Sequence, residues 1–179
     1  MSTTAATQQR KFQSYVAMTV ALVSFGMLFA GLFLGYFLAR FNAPVWPPVE
    51  IENRPQLVPL LSTLLIALSS FTFWRYETGL GKGRMWLQAT LILGLAFMGA
   101  QWALWGALAR SGVLSVNGMI SSMFYAFTWL HAAHIVGGLA ALGWLAVTPW
   151  TETRTTNVGK FWHFLGAIWL LMYLMLFVL

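Results

Sequence analysis

The chain has 179 residues, of which 59% are hydrophobic and 8% charged, with a formal net charge of +6 and no Cys. Globular domains carry about 25% charged residues, so this composition, with a mean hydropathy of +0.73, excludes a soluble domain and points to the membrane. The missing Cys excludes disulfide, thiolate and iron–sulfur chemistry in this chain.

In chain order, residues 1–14 read as a short polar tail. MSTTAATQQRKF has no apolar segment of the kind that a signal peptide needs. Five apolar runs follow, at 15–39, 57–74, 86–109, 120–147 and 161–179. Each reaches the roughly 18 residues that cross a hydrocarbon core as a helix. Lipid leaves no other spanning geometry for such runs than a helix or a closed barrel, and the runs are too long for barrel strands. The expected fold is therefore all-α: one integral membrane bundle of five transmembrane helices, over 15–179. The connection 40–56 is the longest and is stiffened by Pro44, Pro47, Pro48 and Pro55. No internal repeat is visible.

None of the runs contains an acidic residue. The chain has no Asp, and Glu50, Glu52, Glu77 and Glu152 all fall between runs. A carboxylate relay within the bilayer is thus not expected from this chain. Lys and Arg set the orientation. Arg10, Lys11, Arg75, Lys82, Arg84, Arg154 and Lys160 lie on one side, and Arg40, Arg54 and Arg110 on the other. This bias places the N-terminus in the cytoplasm and the C-terminus outside. It also accounts for the net charge without nucleic acid. Trp46, Trp74, Trp86, Trp150 and Trp162 fall near run ends, as interfacial anchors do.

Small residues cluster on the first run (Gly26, Ala30, Gly31, Gly35) and on the fourth (Gly137, Gly138, Ala140, Ala141, Gly143). Such faces allow close helix approach, either within the bundle or against a partner subunit. Ser and Thr within the runs can bond to their own helix backbone. The three histidines say more, because ionisable groups in a membrane are tightly satisfied or functional. His131 and His134 share a helix face in WLHAAHIVGG, and His163 stands in the fifth run. As hydrogen-bonded imidazoles, His131, His134 and His163 would tie helices together. As ligands they would need further donors, and the runs supply no carboxylate. The run boundaries put His163 about one turn inside the fifth helix and His134 about 20 Å from the matching end of the fourth. On that estimate a haem bridging them would be mismatched by more than about 10 Å in depth.

Four stretches resemble subunit III of haem–copper respiratory oxidases, in order and over nearly the whole chain. SFGMLFAGLFLGYF is similar to the family's first-run pattern S-E-x-M-x-F-A-G-L-F-x-A-Y-F. WPPVEIENRPQLVPLLSTLLIALSS resembles the W-P-P loop and the helix after it, through Trp46, Pro47, Pro48 and Pro59. FYAFTWLHAAHIVGGL carries the paired His131 and His134. FWHFLGAIW matches the W-H-F signature through Trp162, His163, Phe164 and Trp169. The five-helix bacterial form fits the helix count, where many members have seven. Two family carboxylates are absent: Phe25 stands at the first-run Glu and Gly166 at the Asp after the last His. A proton-antenna role for that Glu does not carry over, and His163 loses its family Asp partner.

The resemblance implies a non-catalytic structural subunit in a bacterial plasma membrane. It would pack beside catalytic subunit I, with subunit II, which bind the haem and copper and reduce oxygen to water with proton translocation. This chain would hold no cofactor of its own but would bind phospholipid. Arg75, Arg84, Trp86, Lys160, Trp162 and His163 are the candidate headgroup contacts. The W-P-P loop favours cytochrome c oxidase; a quinol oxidase or a nitric oxide reductase-associated relative is the alternative, and a larger supercomplex is open. Two readings of other classes stand beside it. One is a small b-type membrane cytochrome using His134 with His131 or His163. The other is a transporter lined by Gln88, Thr90 and Gln101.

Overall fold

The computed structural model describes residues 2–42, 57–79, 83–112 and 118–178, with side chains from residue 6 onward. The described residues form α1 (Ser2–Phe41), α2 (Leu57–Thr78), α3 (Arg84–Arg110), α4 (Met119–Val147) and α5 (Glu152–Tyr173), which ends in a π-helical turn, Leu174–Val178. All five are long and apolar enough to cross a membrane, as the five runs predict. Trp46, Pro47 and Pro48, together with Arg54 and Lys82, lie outside the described residues.

Two helices begin earlier than their apolar runs. Residues read as a tail are the first turns of α1. They are rich in Ala, Gln, Arg and Lys, and no Gly or Pro interrupts the helix before Gly26. Likewise α5 starts at Glu152 rather than Phe161. Thr151 is its N-cap, Glu152 supplies an acid in the first turn, and Thr155 N–H donates to the Thr151 carbonyl at 3.0 Å. These polar first turns carry no hydropathy signal, so run boundaries miss them. Pro59 sits in the first turn of α2, where its missing N–H costs nothing. Gly83, before α3, takes a left-handed backbone (φ 88°) that a side chain would strain.

The core is a set of layers built on indoles. Trp162 of α5 is fully buried. Its six-membered ring lies between Gly94 of α3 and Gly138 of α4, where an added Cβ would come within 2.9 Å of ring carbons on either side. Its Nε1 donates to Ser69 Oγ of α2 at 3.2 Å. Two turns further along α5, Trp169 Nε1 donates to Thr63 Oγ1 at 3.0 Å, and its ring stands edge-on to Phe97 at 5.0 Å. At Gly159 a Cβ would meet Phe73 at 2.8 Å, so α2 also approaches α5 closely.

The small residues divide accordingly. Gly138 packs inside the chain, whereas a Cβ at Gly31, Gly137 or Gly143 would meet nothing within 4 Å. Gly94 and Gly159, isolated in the sequence, make two of the closest contacts. Only α1 is peripheral: 6% of its apolar window is buried within the chain, against 44% for α5. It leans on α4 and α5 through Phe25, Phe29 and Phe33.

Hydroxyls in the runs do bond backwards to their own helices, as at Ser62, Thr63, Thr90 and Thr128. Ser69 instead crosses to the Thr90 carbonyl at 3.1 Å, and Thr72 and Thr90 share a hydrogen bond at 2.9 Å, joining α2 to α3. Replacing Ser69 by Ala is expected to lower stability by about 1–3 kcal/mol, because the buried Trp162 N–H loses its acceptor. A thermal melt of the purified chain measures this; an unchanged melting temperature would show that the indole finds another acceptor.

Candidate functional site

Among the described residues, none of the three imidazoles makes a hydrogen bond to another helix. His134 Nδ1 bonds at 2.7 Å to the Leu130 carbonyl of its own helix. That carbonyl accepts, so Nδ1 carries the proton and Nε2 is left as an acceptor. His131 is buried, and neither ring nitrogen has a partner among the described residues. It is held by rings: Phe29 of α1 at 6.2 Å, Phe97 of α3 at 6.1 Å and Trp169 of α5 at 5.6 Å. His163 stands edge-on to Phe73 of α2 at 6.0 Å and interacts electrostatically with Glu77 at the end of the same helix. Glu77 lies level with Gly159, where an added Cβ would stand 3.0 Å from its Oε2, rather than with Gly166.

The depth estimate for the histidines also changes. Because α5 starts at Glu152, His163 is well inside the helix rather than one turn from its end. The Trp162–Gly138 and Trp169–His131 contacts set α5 antiparallel to α4 and bring His163 level with Gly137. His163 and His134 thus differ in depth by about 5 Å. Direction separates them instead. His163 faces α2, whereas His134 faces α1 and His131 stands between α1, α3 and α5. Among the described residues no three His, Asp or Glu side chains converge as metal ligands would.

The polar line suggested for a transport path is also not assembled. Gln88 is exposed, Thr90 is bonded to Thr72, and Gln101 is buried in the core. The spacing of Gln88 and Gln101 turns them to different sides of α3.

The basic and aromatic residues gather at one end of the bundle, in two groups. The exposed Arg75 lies 5.6 Å from the half-buried Trp86 ring, and Arg84 reaches the Ala146 carbonyl at 3.3 Å. On the α1 side, Lys160 sits 5.0 Å over Tyr15. Trp162 does not join them, because the indole sequence reasoning placed at the interface is in the core. Its position near an apolar boundary misled, since α5 has more than two polar turns before it.

Arg154, which the sequence offered only as one of the orientation-setting cations, completes the second group. Its guanidinium is 4.5 Å from the Trp144 ring and donates to the Pro149 carbonyl at 3.2 Å. Beside it Asn157 donates to Ser14 Oγ at 2.8 Å, tying α5 to α1. These residues line an open cleft of about 390 Å³ with Met18 and Val158. A cation held against an indole beside a cleft suits an anionic group at the membrane surface.

Five helices long and apolar enough to cross a membrane, packed around indole-filled layers, define a multi-pass helical membrane protein. Residues 4–179 match the family model of cytochrome c oxidase subunit III. A probable cytochrome c oxidase subunit 3 of Mycobacterium leprae is 33% identical, over 90% of this chain and 86% of that one. One of Nocardia farcinica is 31% identical, over 87% and 82%. The cytochrome c oxidase subunit 3 of Thermostichus vulcanus is 30% identical, over 92% and 86%. The chain belongs to the cytochrome c oxidase subunit III family, and as a subunit III it assembles with other oxidase subunits.

Proposed function

We propose that this chain is the non-catalytic structural subunit III of an aerobic cytochrome c oxidase in a bacterial plasma membrane, its N-terminus in the cytoplasm. It packs beside subunit I and in one complex with subunit II, and the haem and copper belong to those partners. The family match over residues 4–179 carries the reading. The core supports it too. Its indole layers, aromatic ring contacts and helix-crossing hydroxyls suit a rigid apolar wall rather than a redox centre.

We also assign to it a bound phospholipid, its phosphate at the cleft beside Arg154 and Trp144, with Arg75, Arg84 and Lys160 at the same end of the bundle as further cationic contacts.

A tagged chain drawn from its native membrane in mild detergent is expected to bring subunits I and II with it. A copper-bearing subunit II would name cytochrome c as donor, whereas a quinol-type partner would move the chain to that branch. Recovery of the chain alone as a haem-coloured species would overturn the reading in favour of a b-type cytochrome. In the same preparation, Arg154→Ala is expected to lower the phospholipid retained per complex without loss of subunits I and II. Unchanged lipid content would remove the cleft as the headgroup site.

A further inference from the structure

Among the buried side chains that carry two hydrogen-bonding atoms, Gln101 and His131 leave both unpaired, whereas Ser121 and Thr155 leave a single hydroxyl so. Gln101 of α3 and His131 of α4 are each 1% exposed, and the amide oxygen and nitrogen of the first and both ring nitrogens of the second have no hydrogen-bond partner among the described residues.

They belong to one layer. Trp105 Nε1 donates to Thr128 Oγ1 at 3.1 Å, and at Gly94 a Cβ would meet Leu139 at 2.8 Å. These two contacts set α3 antiparallel to α4 in a register that puts Gln101 opposite Ala132, beside His131. Phe97, one turn from Gln101 on the same face of α3, touches the His131 ring. Trp169 closes the layer from α5, but its indole N–H is already given to Thr63. Around His131, then, stand Phe29, Phe97 and Trp169, none of which offers the imidazole a free acceptor.

Buried polar groups in folded proteins are paired, and where the protein supplies no partner, water does. The chemistry of the two groups selects water. An amide offers a donor and an acceptor, and so does a neutral imidazole; one water matches both. A metal ion would want several further ligands; His134 beside them gives Nδ1 to the Leu130 carbonyl, and no three His, Asp or Glu side chains converge among the described residues. We propose that Gln101 and His131 jointly bind internal water, making a hydrated polar node between α3 and α4 in an otherwise apolar layer. The node is independent of the lipid cleft and of the oxidase assignment.

The test uses the full chain labelled with 15N-histidine in liposomes. Water-edited solid-state NMR reads polarisation passing from water protons to the ring nitrogens, and the His131 signal is identified by its loss in His131→Leu. Transfer to His131 is expected in the unmodified chain, and Gln101→Leu is expected to weaken it severalfold. A His131 signal that receives nothing from water, or one that Gln101→Leu leaves unchanged, overturns the proposal. A thermal cycle gives a second reading. Gln101→Leu and His131→Phe should each lower the unfolding temperature, and the double variant should lose less than the sum. Strictly additive losses would show that the two residues share no ligand.

Discussion

Gly138→Ala is expected to destabilise the purified chain by about 1–3 kcal/mol, the usual cost of forcing extra volume into a packed core. The new methyl would stand 2.9 Å from one edge of the Trp162 ring and 3.1 Å from Leu165. The indole cannot retreat. The backbone of Gly94 closes off its other side, where even an added Cβ would stand only 2.9 Å from the ring, and the Ser69 hydroxyl anchors its nitrogen. Gly94→Ala should therefore have a similar effect, since its own Cβ would also meet Leu139 at 2.8 Å. The control is Trp162→Phe, which removes part of the obstructing ring. If the mechanism is right, the losses from Gly138→Ala and Trp162→Phe combine to less than their sum. A Gly138→Ala chain that melts with the unmodified one would show that the layer is looser than these distances imply.

Phe25→Glu restores the family's first-run carboxyl and is expected to be accepted by the fold, provided that His134 is present. The Phe25 ring centroid is 4.5 Å from that of His134, edge to face. With Nδ1–H given to the Leu130 carbonyl, His134 keeps Nε2 as an acceptor for a carboxylic O–H. The combination Phe25→Glu with His134→Leu should lose yield and stability sharply. It leaves a carboxyl among apolar rings, and an acidic side chain at the centre of a membrane helix costs about 2.5–3.5 kcal/mol on insertion scales. His131 is not expected to substitute, because its ring is enclosed by Phe29, Phe97 and Trp169. Expression and monodispersity of the three variants decide the matter. Equal recovery with both His131→Leu and His134→Leu in the Phe25→Glu background would remove the pairing.

The two absent carboxylates have different consequences. Phe25 fills its place with a ring that packs on His134 and Phe161. At Gly166 the place is filled from across the interface, for a Cβ there would stand 3.0 Å from Ser70 Oγ. Gly166→Asp would then crowd α2 as well as restore a charge.

Length and hydropathy by themselves determined the class and the five spans, because a membrane helix must be long, apolar and self-satisfied, and those demands are written into each run. The family was legible in four ordered motifs. The polar starts of α1 and α5 were not legible from apolarity; propensity and a Thr cap before Glu152 were the available signals. Only the tertiary structure decided which polar and small residues matter. Trp162 reads as an interfacial anchor yet is the centre of a layer, since the side of α5 it occupies depends on Gly94 and Gly138 from two other helices. Arg154 gains its cleft from Trp144 and from α1, and Phe73 packs on His163 from α2. His131 and Gln101 each stand out in sequence as polar groups in an apolar run, but nothing there pairs them. They become a shared polar node only when helix register brings them to one depth, because pairing across helices depends on distances that no single segment encodes.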